Sequence, residues 1–294
     1  MLHSSEQHKN RTEAGETSIP LSRSCPRVNP TFPITVEIGG MPIRLHTQDD
    51  CFRQMLARRY AGFVDSTLPP RYEFDIELAT PSRSAPHEEV CVEMREGSWR
   101  LRRGDFCAHW DPRAGRGHIR QSANPYSIDS VLRIVHTLIL AQEGGFLLHS
   151  AGAIRNGRAF LFSGVSGAGK TTISRLAPAD VTLLTDEVSY IRRNSGDGGY
   201  RACGTPFAGE LARVGENCSA PIESLFFLTQ GRENKIEPMA KSESIGSLMR
   251  NILFFAEDAN LVRNVFQSAC EVVDRVRVER LTFTPDSRVW GMIG

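Results

Sequence analysis

The pattern of apolar and polar positions divides the chain into three stretches. Residues 1–30 are polar and charged with few aliphatic side chains. They cannot bury enough surface to offset the entropy of ordering, which predicts a disordered lead. Residues 31–122 contain short runs that alternate with period two, the pattern of half-buried strands. Residues 123–294 mix helical periodicity with short apolar runs, which predicts an α/β module.

The stretch 31–122 is predicted to be a smaller α+β module, mostly β with one helix. Phe52, Met55, Leu56 and Tyr60 recur at helical spacing, so a helix capped by Asp49 or Asp50 should run to about Ala61. Strands are predicted at 34–38, 42–46, 71–78, 90–94, 99–102 and 106–110.

The stretch 123–294 opens with a predicted helix. Asn124-Pro125 interrupts the chain, and apolar residues at helical spacing follow from Ile128 to Ile139. Gly144-Gly145 should end this helix, because glycine readily adopts the left-handed conformation of a C-cap.

Composition and charge argue against some classes of partner. The 294 residues are 40% apolar and 23% charged with a formal charge of +1, so no strong field attracts nucleic acid or anionic lipid. The seven cysteines show no Cys-x-x-Cys spacing, as is typical of a reducing compartment. No signal-peptide core and no apolar run of roughly 20 residues is visible. We therefore expect a soluble, cytoplasmic protein without nucleic-acid or membrane partners.

One segment carries a specific chemical signal. Residues 164–171, Gly-Val-Ser-Gly-Ala-Gly-Lys-Thr, fit the P-loop pattern G-x-x-x-x-G-K-[ST] in full. Such glycines let consecutive backbone N–H groups surround phosphate oxygens, while Lys170 supplies positive charge and the Thr171 hydroxyl binds magnesium. A strand at 159–163 and a helix at 171–176 provide the expected flanks. ATP with Mg²⁺ is the predicted ligand, and the predicted contacts are Gly164, Ser166, Gly167, Ala168, Gly169, Lys170, Thr171 and Thr172.

The segment before the loop distinguishes this chain from most P-loop proteins. Asn156-Gly157 lies between two apolar runs and predicts a hairpin with a type I′ turn. The strand that leads into the loop should therefore pair antiparallel to its predecessor, whereas most P-loop proteins reach the loop from a parallel sheet. The hairpin also places His149 beside the loop. The alternative for His149 is a core histidine hydrogen-bonded to a backbone carbonyl.

Acidic residues follow downstream. The apolar run 181–185 ends in Asp186 and Glu187, which could bind magnesium or accept a proton from an incoming hydroxyl. Side chains alternate along a strand, so one of the two should face the phosphates. The alternative is a solvated acidic strand end. Glu210, in the loop Gly204-Thr-Pro-Phe-Ala-Gly-Glu, is a further candidate for the metal.

These features together resemble a known family. The run Leu148-His-Ser-Ala-Gly-Ala, the Asn-Gly hairpin, the glycine-rich loop and the Asp-Glu pair are similar to the catalytic domain of HPr kinase/phosphorylase, and more closely to shorter HPr-kinase-related bacterial proteins. The resemblance covers about residues 128–290. It implies a mixed-sheet P-loop domain like that of phosphoenolpyruvate carboxykinase.

The resemblance implies an ATP-dependent kinase whose acceptor is a serine hydroxyl of a protein or peptide. By position, His149 matches the family histidine near the transferred phosphate, and Asp186 matches the proposed base. Glu187 stands where the family has a second Asp. The Glu-x-Arg-Gly-Leu-Gly signature associated with dephosphorylation is not found, so the resemblance does not support phosphorolysis or HPr itself as the substrate. The family is commonly oligomeric, which makes a second copy of the chain a candidate partner.

Two other functions stay open at the level of sequence. A kinase for a small hydroxyl-bearing metabolite would use the same residues with a different acceptor cleft. A regulatory module that binds ATP without chemistry would need only the loop.

Overall fold

The strands form two mixed β-sheets, one of seven strands and one of nine. The computed structural model describes residues 31–80, 89–194, 196, 198–209 and 214–294. The predicted disordered lead lies outside the described residues. Residues Thr31–Gly294 form one compact unit. The architecture is therefore α/β, and each sheet contains both parallel and antiparallel pairs.

The first sheet has the strand order β1-β2-β3-β7-β6-β5-β4. Its pairs β2–β3 and β3–β7 are parallel, and the other pairs are antiparallel. The six strands predicted for residues 31–122 are all present. Its strands are β1 (Phe32–Ile38), β2 (Met41–Thr47), β3 (Tyr72–Leu78), β4 (Cys91–Arg95), β5 (Ser98–Arg103), β6 (Phe106–Asp111) and β7 (Arg116–Gln121).

Strand β7 was missed by the sequence pattern. Its only aliphatic side chain is Ile119, so there is no alternation to detect. Gly117 lets it fit the sheet, because a Cβ there would lie 2.4 Å from the Phe74 ring. The close approach of a neighbouring side chain explains why glycine occupies a strand interior.

Helix α1 (Asp50–Arg59) connects the parallel strands β2 and β3. Asp49 is the N-cap, since its Oδ1 accepts a hydrogen bond of 2.8 Å from Phe52 N. The sequence left Asp49 and Asp50 as alternatives. The helix ends at Arg59, with Tyr60 as the C-cap, slightly before the predicted end.

Helix α2 (Pro125–Glu143) follows the first sheet. Asn124 caps its start by accepting from Tyr126 N at 2.9 Å, and Gly144 ends it in the left-handed conformation (φ 83°). The helix ends where the sequence predicts, but it begins at Pro125, before the predicted helical spacing that starts at Ile128. Its apolar side chains join the same buried cluster as the first sheet and α1. Among the described residues, no helix is both long and apolar enough to cross a membrane.

The second sheet has the order β10-β8-β11-β12-β13-β16-β14, with β9 and β15 as additional neighbours of β8. Its strands are β8 (Gly145–Arg155), β9 (Arg158–Ser163), β10 (Thr182–Thr185), β11 (Val188–Arg193), β12 (Tyr200–Cys203), β13 (Ser219–Gln230), β14 (Lys235–Pro238), β15 (Ile252–Leu253) and β16 (Arg277–Phe283). The helices that accompany them are α3 (Lys170–Arg175), α4 (Lys241–Asn251), α5 (Ala259–Arg275) and a 3₁₀ helix at Ser287–Met292.

Strand β8 pairs with four other strands of this sheet. Its first half pairs with β11 and β15, and its second half pairs with β10 and β9. The pair β8–β9 is antiparallel, as predicted, and a two-residue turn joins its strands. Both turn residues have positive φ, 51° for Asn156 and 73° for Gly157, which is the type I′ signature. Strand β9 is parallel to β13 on its other side.

A buried ion pair joins α1 to α2. Asp129 accepts from Arg59 Nε at 2.9 Å and from the Tyr60 hydroxyl at 2.7 Å, and only 5% of Asp129 is exposed. The carboxylate raises the pKa of Arg59 through this hydrogen bond. The contact fixes α2, which leads directly into β8.

Replacing Asp129 by Ala should lower the free energy of unfolding by about 3 kcal/mol, because the Arg59 guanidinium and the Tyr60 hydroxyl lose their buried partner. Urea unfolding of the full chain measures this change. The control is Glu77→Ala, since Glu77 is 54% exposed and pairs with Arg120 at 3.2 Å. That variant should lose no more than about 0.5 kcal/mol. Equal losses in the two variants would contradict the role given to Asp129.

Candidate functional site

The glycine loop, residues 164–169, connects the buried strand β9 to α3. Its glycines adopt positive φ angles, 152° at Gly164, 79° at Gly167 and 112° at Gly169. A side chain at Gly169 would lie 2.6 Å from the ring of Phe283 on β16. Glycine is therefore required there by both backbone angle and space.

The other predicted contacts lie on the loop and the first turn of α3. Ser166 is exposed, Ala168 is buried, and Thr171 and Thr172 are half-buried. Gln230, at the end of β13, donates to Gly167 O at 2.7 Å and ties the loop to the sheet. The loop is thus held in place while part of it faces solvent.

The Lys170 ammonium lies against the loop backbone. Lys170 is 9% exposed, and its Nζ donates to Gly164 O at 2.9 Å and to Val165 O at 3.3 Å. A largely buried ammonium that bridges two loop carbonyls gives this end of β9 a positive charge.

His149 lies in the middle of β8, close to the start of the loop. Its carbonyl accepts a hydrogen bond of 2.9 Å from the hydroxyl of Ser163, the last residue of β9. The imidazole is half-buried. Burial lowers the pKa of His149, and the positive charges of Lys170 and Arg133 lower it further. These effects favour the neutral form of the ring.

A pocket opens between the loop and α4. Its volume is about 590 Å³, and it is lined by His149, Gly164–Ser166 and Arg250–Leu253. Of the two interpretations of His149, the structure supports the one that places it at a pocket rather than inside the core. Arg250 brings a cationic side chain to this pocket.

Asp186 and Glu187 interrupt what would otherwise be one long strand. Thr185 pairs with Gly152 and Val188 pairs with His149, so β10 and β11 follow one another along β8. Neither carboxylate lies within a strand, so strand alternation does not set the directions of their side chains.

Instead, the two carboxylates converge on Gly209. Asp186, only 3% exposed, accepts from Gly209 N at 2.9 Å. A Cβ at Gly209 would lie 2.5 Å from Glu187 Oε2 and 3.2 Å from Asp186 Oδ2. The alternative of a solvated acidic strand end is excluded for Asp186 by its burial.

The predicted metal ligands form an all-oxygen set. No group of three or more His, Cys, Asp or Glu side chains within the described part of the chain is arranged to hold a metal ion. Mg²⁺, however, is commonly bound by one or two carboxylates together with substrate phosphates. Asp186 and Glu187 supply carboxylate oxygens of this kind, close together at Gly209. Glu210 lies outside the described residues.

Sequence reasoning missed Arg133, Phe207 and Arg250. A signal existed for Arg133, because it is the one charged side chain between Asp129 and Glu143 in an apolar helix. Its guanidinium carbon lies 4.9 Å from the centre of the Phe207 ring. Nothing in the sequence indicated that α2 would bring Arg133 near His149, since that depends on how α2 packs against β8.

Comparison with known proteins gives one family. A family model described as SynChlorMet cassette protein ScmC matches residues 120–294, which include α2, the glycine loop, both carboxylates and the C-terminal strands. No curated protein matches the chain.

The two inner glycines of the loop should respond differently to substitution. Gly169→Ala combines a positive φ with a contact against buried Phe283 and should lower the free energy of unfolding by roughly 3 kcal/mol. At Gly167 no heavy atom lies within 4 Å of the added Cβ. Gly167→Ala should therefore cost only the backbone strain of about 1 kcal/mol. Denaturant unfolding of both variants tests this, and losses of equal size would show that Phe283 does not confine Gly169.

Proposed function

We propose that this chain, which belongs to the family of SynChlorMet cassette protein ScmC, is an ATP-dependent kinase. It transfers the γ-phosphoryl group to a serine hydroxyl of a protein or peptide. The observation that carries the proposal is the convergence of three features on the middle of β8. Ser163, the residue before the glycine loop, pairs with Ser150 on β8. His149 directly precedes Ser150, and Ser150 N donates to Glu187 O at 3.1 Å.

The loop would bind the triphosphate. Its backbone N–H groups and Lys170 supply positive charge, and α3 begins directly behind them. Magnesium would be held by Thr171, Asp186 and Glu187, and when bound it neutralises charge on the β and γ phosphates. When the triphosphate binds, Lys170 Nζ would exchange its hydrogen bonds to the loop carbonyls for hydrogen bonds to phosphate oxygens.

Asp186 would act on the acceptor. Its carboxylate takes the proton of the serine hydroxyl as the new O–P bond forms and the bond between the γ-phosphorus and the ADP oxygen breaks. Gly209 N donates to Asp186 Oδ1 and so orients the carboxylate. His149, kept neutral by burial and by Lys170, faces the pocket as a hydrogen-bonding group rather than a competing cation.

The relationship to HPr kinase/phosphorylase is part of the same proposal. The antiparallel β8–β9 hairpin before the loop and the mixed sheet around it support a phosphoenolpyruvate-carboxykinase-like core. A cytoplasmic location also belongs to the proposal.

A second candidate is a kinase for a small hydroxyl-bearing metabolite. The pocket volume of about 590 Å³ lies within the range typical of small-molecule sites. Protease treatment separates the two candidates, because a labelled peptide or protein is degraded and a labelled metabolite is not.

Incubating the full chain with γ-labelled ATP, Mg²⁺ and extract of the source cells should produce a labelled, protease-sensitive product. Lys170→Ala should lower the labelling rate by at least about 100-fold, because charge on the transferred phosphoryl group loses its partner. Asp186→Asn should lower it by about 100-fold or more.

The matched control is Lys235→Ala. Lys235 lies on edge strand β14, pairs with Glu237 at 2.7 Å and is 63% exposed. The Lys235→Ala variant should form labelled product at the wild-type rate. A labelled product that survives protease would favour the metabolite kinase. ATP binding with no Lys170-dependent product in any fraction would contradict the kinase and leave a binding module.

A further inference from the structure

Arg133 is the one charged residue between Asp129 and Glu143 on α2. Its neighbours Leu132 and Ile134 are each 1% exposed, and Arg133 itself is half-buried. Helix α2 and strand β8 are joined at Gly144 and run back along each other. Along α2, ten residues span about 15 Å, and along β8, four to five residues span about the same distance. Arg133 therefore lies level with His149.

The guanidinium of Arg133 packs on an aromatic ring. Its carbon is 4.9 Å from the centre of Phe207, which is 1% exposed. Its Nε is buried and has no hydrogen-bond partner among the described residues. The ring face takes the place of such a partner, in a cation–π contact that burial strengthens.

Phe207 belongs to the segment that holds the candidate base. Upstream, Thr205 is anchored by its hydroxyl, which donates to Val188 O at 2.7 Å, and by its amide, which donates to Leu184 O at 3.1 Å. Downstream, Gly209 N donates to Asp186 Oδ1. Phe207 lies between these two anchors in the chain, so the contact of its ring with Arg133 adds a third restraint on the segment.

We propose that Arg133 is a positioning residue for phosphoryl transfer. Its planar guanidinium, stacked on Phe207, fixes residues 205–209 so that Gly209 N holds the Asp186 carboxylate towards the acceptor hydroxyl. This inference rests on the proposed function for its catalytic consequence. The contact between Arg133 and Phe207 does not depend on ATP, so it can be tested separately.

The first test measures the loop directly. Amide hydrogen exchange of peptides covering residues 204–209 is compared in the full chain for wild type, Arg133→Met and Arg133→Lys. Both variants should exchange about tenfold faster, because neither methionine nor lysine reproduces the planar stacked fork. Unchanged exchange in Arg133→Met overturns the proposal. Wild-type exchange in Arg133→Lys also overturns it, since charge alone would then suffice.

The second test measures transfer. In the labelling assay with cell extract and varied ATP, Arg133→Met should lower the rate at saturating ATP by about tenfold while the KM for ATP stays within about twofold, since the loop around Lys170 is untouched. The double variant Arg133→Met/Phe207→Leu should show no further loss, because both changes remove one contact. Faster exchange with an unchanged rate, or a raised KM with an unchanged rate, overturns the positioning role.

Arg103→Met is the matched control. Arg103 stacks on Phe106 at 5.0 Å in the first sheet, away from the pocket, and this variant should change neither exchange of 204–209 nor labelling. If Arg133→Met does not fold, as judged by its thermal unfolding, Arg133→Lys decides both tests. If wild type shows no Lys170-dependent labelling, the proposed function fails, while exchange still decides whether Arg133 holds Gly209.

Discussion

Strand β8 has neighbours along both of its edges, and the backbone hydrogen bonds on each edge fix a different part of the candidate site. One edge carries β9, whose end delivers the glycine loop. The other carries β10 and β11, and the interruption between them presents Asp186 and Glu187. Because a strand is about 5 Å from each neighbour, this arrangement sets a fixed, short separation between the positively charged loop and the two carboxylates. His149 lies on β8 itself, between them.

Local sequence predicts the strand pairing along the edge of β8 that carries β9. The Asn156-Gly157 turn requires positive φ at both positions and so determines the register of β8 and β9. The loop pattern, the caps Asp49 and Asn124, and the left-handed Gly144 are equally local, because each depends on residues only a few positions apart. Period-two alternation predicted the strands of the first sheet except β7, where a single aliphatic residue gave no pattern.

The other edge depends on contacts between distant residues. The sequence correctly placed Asp186 and Glu187 at the end of a strand. No local rule shows that residues 188–192 then pair with the same strand as residues 182–185. The approach of Gly209 to both carboxylates joins positions more than twenty residues apart. Arg133 is further still from Phe207 in sequence. The structure thus has cations on the loop, on α2 and beside β15, and anions at the interruption between β10 and β11.

The central claim is that the glycine loop binds the phosphates of ATP, and the amide resonances of Gly164, Gly167 and Gly169 report on it directly. Titrating the full chain with MgATP should shift these resonances saturably. MgAMP, which lacks the β and γ phosphates, should shift them little at the same concentrations. In Lys170→Ala the MgATP titration should require roughly tenfold or more nucleotide, because a charge-assisted contact to phosphate is lost. Unshifted loop glycines at saturating MgATP, or equal affinity in wild type and Lys170→Ala, would contradict the account.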